Sequence, residues 1–130
     1  MIKKAKWLAK EAKLRVTYMA TKDCIFCKIV SGEAKSNIIY DDDKIVAFPD
    51  INPIAPTHIL IVPRKHIDSV LSVGESDGSD LTAMFEAAGK ISKEKAIDSF
   101  RLSFNAGRFQ HVPHMHMHLL AGDKINWSKL

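Results

Sequence analysis

The sequence predicts an α+β domain built on an antiparallel sheet. Three observations point there. Short β-branched apolar runs end at turn residues, as in THILIVP, closed by Pro63. One long stretch, LTAMFEAAGKISKEKAI, repeats Leu81, Met84, Phe85, Ala88 and Ile91 at helical spacing. The joins between strand-like runs are of hairpin length, which suits antiparallel pairing. A chain of 130 residues, 46% hydrophobic and 26% charged, holds enough apolar material for one ordinary domain.

The elements follow in order. Residues 1–20 have helical periodicity, with Ile2, Ala5, Leu8, Ala9, Ala12 and Val16 on one face and most lysines on the other. Trp7 and Leu14 break that pattern. This segment carries five lysines and Arg15 against Glu11, a net +5, so the remaining residues carry −1 of the formal +4. Nucleic-acid binding argued from overall charge would rest on the leader alone, and no specific nucleic-acid partner is expected. The leader reads as a basic extension, 1–20, before a domain over 21–130. A membrane-surface or organelle-targeting helix is the alternative, and Met19 is a second candidate start.

CIFCKIVSG is a short apolar segment ended by Gly32. SNIIYDDDKIVAFPDI reads as two strands joined by an acidic turn at Asp41–Asp43. GESDGSD is a loop, with Ser79 or Asp80 capping the helix after it. FRLSFNAG is a strand running into a glycine turn, and HMHMHLLAG is a last strand ended by Gly122. No apolar run has membrane-spanning length, and repeats or low-complexity tracts are absent. No secretory signal is evident, so a cytoplasmic setting is expected, with the terminal Ser128-Lys129-Leu130 a weak peroxisomal match. In that setting Cys24 and Cys27, a C-x-x-C, suggest metal or redox chemistry rather than a structural disulfide.

The run HVPHMHMHLL carries the chemistry. In a strand, residues i, i+2 and i+4 point the same way, so His114, His116 and His118 form one row. Met115, Met117 and Leu119 form the opposite row and suit the core. Three imidazoles in a row can bind a metal or handle a phosphate, one ring attacking phosphorus while its neighbours hold oxygens. The plain alternative is a histidine-rich exposed strand face.

His114-Met115-His116-Met117-His118-Leu119-Leu120 resembles the signature of the histidine triad (HIT) superfamily. The likeness runs from about Cys24 to Trp127 and includes CIFCKIVSGE, AFPDINPIAPTHILIVPRKHI and FNAG. The middle match and Trp127 resemble the nucleotide-binding, adenosine phosphoramidase-like (Hint) branch. The diadenosine-polyphosphate branch follows its triad with Pro-Arg, where this chain has Ala121-Gly122.

The resemblance implies a homodimer, each subunit a five-stranded antiparallel sheet with one main helix. It implies hydrolysis of purine nucleoside phosphoramidates, and of aminoacyl adenylates, at the α-phosphorus, releasing a nucleotide such as AMP with no cofactor in the chemistry. His116 matches the nucleophile, His118 the phosphate-contacting histidine and His58 a further histidine of the site. Asp50 and Ile51 match the ribose and base pocket, with Ile25, Phe26, Phe48 and Leu60 enclosing the purine or simply packing the core. Asn105, Gln110 and His111 fall in the phosphate-binding loop. Two departures stand out. The loop NAGRFQHVPH is shorter than the common form, and His111 stands where relatives often carry serine or threonine, so that it either protonates a leaving amine or faces solvent. Some family members hold a structural zinc through such a cysteine pair; the ligands here would be Cys24, Cys27, His66 and His114. The other readings are a dinucleoside polyphosphate hydrolase and a nucleotide-binding scaffold with little catalysis.

Overall fold

The computed structural model describes residues 23–123. The readings made on residues 1–20, Trp127 and the terminal Ser-Lys-Leu lie outside them. Helix α1 spans Ile25–Ser31, followed by strands β1 (Tyr40–Asp41), β2 (Ile45–Pro49) and β3 (Thr57–Pro63). Helix α2 spans Gly78–Glu94, and β4 (Arg101–Ser103) and β5 (Met117–Ala121) complete the set. The sheet has five strands in the order β1-β2-β3-β5-β4, every neighbouring pair antiparallel. No helix among the described residues is long and apolar enough to cross a membrane.

Alternation divides the sheet into two faces. Ile45, Ala47, Ile59, Ile61, Met117 and Leu119 point to α2, which answers with Ala83, Met84, Ala87, Ala88 and Ile91. On the other face Val46, Phe48, Leu60 and Val62 pack with Phe26, Cys27 and Val30 of α1. His58 and His118 lie on this second face, because they share its parity along β3 and β5. The register places Phe48, Leu60, His118 and Ser103 in line across four strands. Buried Arg64 ties the face together: its Nε donates to the Asp42 carbonyl at 2.8 Å, and its guanidinium also reaches the Val30 carbonyl.

Three expectations need correction, and one segment gains a type. The segment after Cys24 is a short helix beside the main one. Cys24 caps it, its sulfur accepting from Cys27 N–H at 3.4 Å, and Gly32 ends it at φ 88°, a conformation that favours glycine. Helix α2 begins at Gly78, ahead of Ser79 and Asp80. A short 3-10 turn, Glu75–Asp77, runs straight into it, and Asp77 is drawn back by Lys65 at 2.5 Å and by Gly74 N–H. Phe85 is 55% exposed rather than core, since the buried stripe runs through Ala83 and Ala87 instead. The last strand pairs only from Met117. His114 to His116 precede it, and there Met115 N–H bonds the Ile67 carbonyl at 2.7 Å. The alternation still holds: Met115, Met117 and Leu119 are all buried in the α2-side core.

Candidate active site and metal cluster

The three triad histidines leave the sheet in one row with different surroundings. His116 Nδ1 lies 2.8 Å from the His114 carbonyl. A carbonyl only accepts, so Nδ1 carries the proton and Nε2 keeps its lone pair. Phe26 meets the ring edge to face at 5.0 Å between centroids, fixing its plane. Burial, the largest cause, pushes the His116 pKa down, which favours the neutral ring.

His118 stands beside it, ring centroids 5.0 Å apart, and is joined to His58. The tautomers follow from the backbone. Ile54 N–H donates to His58 Nδ1 at 3.1 Å, so the proton of neutral His58 sits on Nε2. That proton points at His118 Nδ1, 2.8 Å away, leaving the His118 proton on Nε2. The Asn105 amide lies 3.4 Å from that atom, which calls for its oxygen on that side. Burial first, then the neighbouring His116 and His58, pushes His118 down to about 4. His58 is also lowered by burial, against the pull of Asp50, whose Oδ2 is 3.4 Å from Nε2. Asp50, His58 and His118 converge closely enough to suggest a metal. The Ile54 contact argues otherwise: it places a proton on the His58 nitrogen that would have to bind.

A second cluster sits behind His114. Cys24 Sγ, Cys27 Sγ, His66 Nδ1 and His114 Nδ1 all lie within 4.8 Å of one another. Three of the sulfur–nitrogen separations are 3.1 to 3.5 Å. A tetrahedral zinc with bonds of about 2.3 Å to sulfur and about 2.0 Å to nitrogen has ligand–ligand edges of roughly 3.3–3.8 Å. The outer contacts also fit. His114 Nε2 donates to the Pro63 carbonyl at 2.7 Å and His66 Nε2 to the Asp68 carboxylate at 2.7 Å, so both Nδ1 atoms are turned inward unprotonated. The Cys24 thiol is pushed down to about 3, chiefly by hydrogen bonding with Cys27, with burial opposing and His114 adding to it. A buried thiolate with three further N/S donors is the donor set of a closed structural zinc site.

Comparison with known proteins agrees with this geometry. The family described as "Scavenger mRNA decapping enzyme C-term binding" matches residues 23–129. An uncharacterized HIT-like protein of Buchnera aphidicola is 44% identical over 106 residues, covering 78% of this chain and 95% of that protein. The purine nucleoside phosphoramidase of Escherichia coli K12 is 44% identical over 105 residues, 78% of this chain and 88% of the relative. The structure of a histidine triad protein from Clostridium difficile superposes with a TM-score of 0.78 at 44% identity, covering 82% and 96% of the two chains. A HIT family hydrolase from Clostridium thermocellum gives 0.75 at 40%, covering 78% and 92%.

The chain belongs to the histidine triad superfamily.

This HIT enzyme brings most of the expected site residues together. His58, His116, His118, Asp50 and Asn105 are linked by the contacts above, and the four expected metal ligands form one cluster. Phe26, Phe48 and Leu60 share the buried core under α1, whereas Ile25 and Ile51 stand 45% and 91% exposed. Asp50 Oδ1 accepts from Asn52 N–H at 2.8 Å. Gln110 uses its amide nitrogen on two carbonyls, Asp68 at 2.7 Å and Val112 at 2.8 Å. His111 is exposed on the same loop. Sequence reading missed Asp68 and the Pro63 carbonyl. The signal for Asp68 was the H-x-D spacing of His66-Ile67-Asp68, which puts a carboxylate beside a histidine on an extended segment.

Proposed function

We propose that this HIT enzyme hydrolyses purine nucleoside phosphoramidates, and the related aminoacyl adenylates, through a nucleotidyl-histidine intermediate. The observation that carries the reading is the His116 ring, held by the His114 carbonyl with Nε2 unprotonated and His118 beside it. The phosphoramidase name of the Escherichia coli relative supports the substrate class.

In this reading His116 Nε2 attacks the α-phosphorus, forming a P–N bond as the bond to the leaving nitrogen breaks, or in an aminoacyl adenylate the bond to the carboxylate oxygen, which leaves without a proton. His118 Nε2–H, only loosely held at 3.4 Å by Asn105, turns to a non-bridging oxygen where negative charge develops. His111 gives the leaving amine its proton. Water then attacks phosphorus, giving a proton back to His111, and breaks the P–N bond to His116, releasing the nucleoside monophosphate and the neutral ring. Asp50 takes the ribose hydroxyls, and Ile25, Phe26, Phe48, Ile51 and Leu60 face the base. Gln110 shapes the phosphate loop.

The Cys24, Cys27, His66 and His114 cluster holds a structural zinc in this proposal, which pins α1 to the sheet. The assembly is a homodimer. Strand β4 at the sheet edge and the exposed Phe85 and Phe100 support it among the described residues. The domain spans 21–130, with 1–20 appended to it, and the setting is cytoplasmic. Turnover of an adenosine phosphoramidate compared with a diadenosine polyphosphate tests the substrate class. Preference for the phosphoramidate is expected; faster cleavage of the dinucleotide would overturn the reading.

A further inference from the structure

The metal cluster and the phosphate loop are joined by one residue that is neither a metal ligand nor a group that touches substrate. Asp68 follows His66 by two positions. Its carboxylate accepts from His66 Nε2 at 2.7 Å, and its own carbonyl accepts from Gln110 Nε2 at 2.7 Å. The same Gln110 nitrogen holds the Val112 carbonyl at 2.8 Å, and Val112 packs against the cluster containing Cys24 and Cys27. Val112 O in turn accepts from His114 N–H at 2.8 Å. A closed path therefore runs from a metal ligand through Asp68 and Gln110, along the loop, to another metal ligand. Between its ends lies the loop that bears His111.

We propose that Asp68 is a positioning residue that couples metal occupancy to nucleotide binding, its carboxylate orienting His66 and its carbonyl holding Gln110 and the 107–112 loop. The inference rests on the metal and nucleotide readings above. Filling the cluster fixes His66. His66 fixes the Asp68 side chain, and the backbone of that residue fixes where Gln110 anchors the loop. A nucleotide phosphate seated on the loop strengthens the same contacts from the other end, so coupling is reciprocal.

The test uses the full chain. Zn2+ affinity is measured by competition with a chromophoric chelator, with and without saturating AMP, on wild type, Asp68→Ala, Asp68→Asn and Gln110→Ala. In wild type AMP tightens Zn2+ by about 5-fold or more, and Zn2+ tightens AMP by the same factor. Asp68→Ala weakens Zn2+ by roughly 10–100-fold and loses the coupling. Asp68→Asn restores both, since its amide oxygen still accepts from His66. Gln110→Ala binds Zn2+ as wild type does but loses the coupling. Both ligands binding wild type with no mutual effect would overturn this inference alone, as would full coupling in Gln110→Ala. Failure to bind Zn2+ at all would also overturn the cluster reading, and failure to bind AMP the nucleotide reading.

Discussion

His114 and His116 are two residues apart in one row, yet the fold treats them oppositely. His114 is fully buried and has both nitrogens engaged, Nδ1 with the cysteine sulfurs and Nε2 with a carbonyl. His116 has its Nδ1 proton on the His114 carbonyl, which leaves the lone pair on Nε2. In the proposed reading one side chain is a structural donor and the other a poised nucleophile. The difference comes from the partners of each ring: Phe26 meets both edge to face, but only the first also has the two cysteine sulfurs on Nδ1 and the Pro63 carbonyl on Nε2. A motif of three identical residues is therefore three different groups once the sheet and α1 are in place.

The comparison is broken most directly by exchanging the two losses. His116→Ala should lower kcat/KM for an adenosine phosphoramidate by at least ~10⁴, as for other nucleophile removals, while shifting the melting midpoint only slightly. His114→Ala, or removal of zinc by a chelator, should do the reverse on stability. A site filled at a thousandfold excess over Kd contributes about 4 kcal/mol, so calorimetry should record a fall of roughly 15 °C. Equal effects of the two alanines on both readouts would erase the distinction.

Acid sharpens the catalytic half. The pKa of His118 is about 4 when folded, against about 6.5 unfolded. Below 6.5 the unfolded chain takes up the proton first, so stability falls as pH drops from about 6.5 to 4 and this contribution levels off below that. His58 is shifted in the same direction. Melting scans from pH 7 to 4.5 should show a smaller loss in His118→Asn than in wild type.

The smallest effect lies away from both clusters. Helix α2 ends in a Schellman turn, with Ala96 N–H on Lys93 O and Ile97 N–H on Ser92 O. Ala96 sits there at φ 55°, where glycine carries no Cβ penalty. Ala96→Gly should stabilise by about 0.5–1 kcal/mol in urea titration with unchanged turnover.

What was legible in the sequence tracks how local each signal is. Strand β3 and the alternation of Met115, Met117 and Leu119 are period-2 patterns that burial on one sheet face enforces. Helix α1 was not typed, because seven residues containing Ile25, Ile29 and Val30 carry little helical preference of their own. It forms because Phe26, Cys27 and Val30 find the sheet and Cys24 serves as cap. The start of α2 was missed because Lys65, distant in sequence, claims Asp77. The triad and the four residues of the Cys/His cluster were readable from spacing and resemblance. The contacts that orient them were not, since the Pro63 carbonyl, Ile54 N–H and Asp68 are set by tertiary packing.

The central claim is that His116 Nε2 forms a covalent bond to the nucleotide. Intact mass after rapid, acid-free quenching with an adenosine phosphoramidate tests it on wild type and His116→Ala. A transient gain of one AMP on wild type alone is the expected result. Turnover without any adduct on wild type, or the same adduct on His116→Ala, would contradict it.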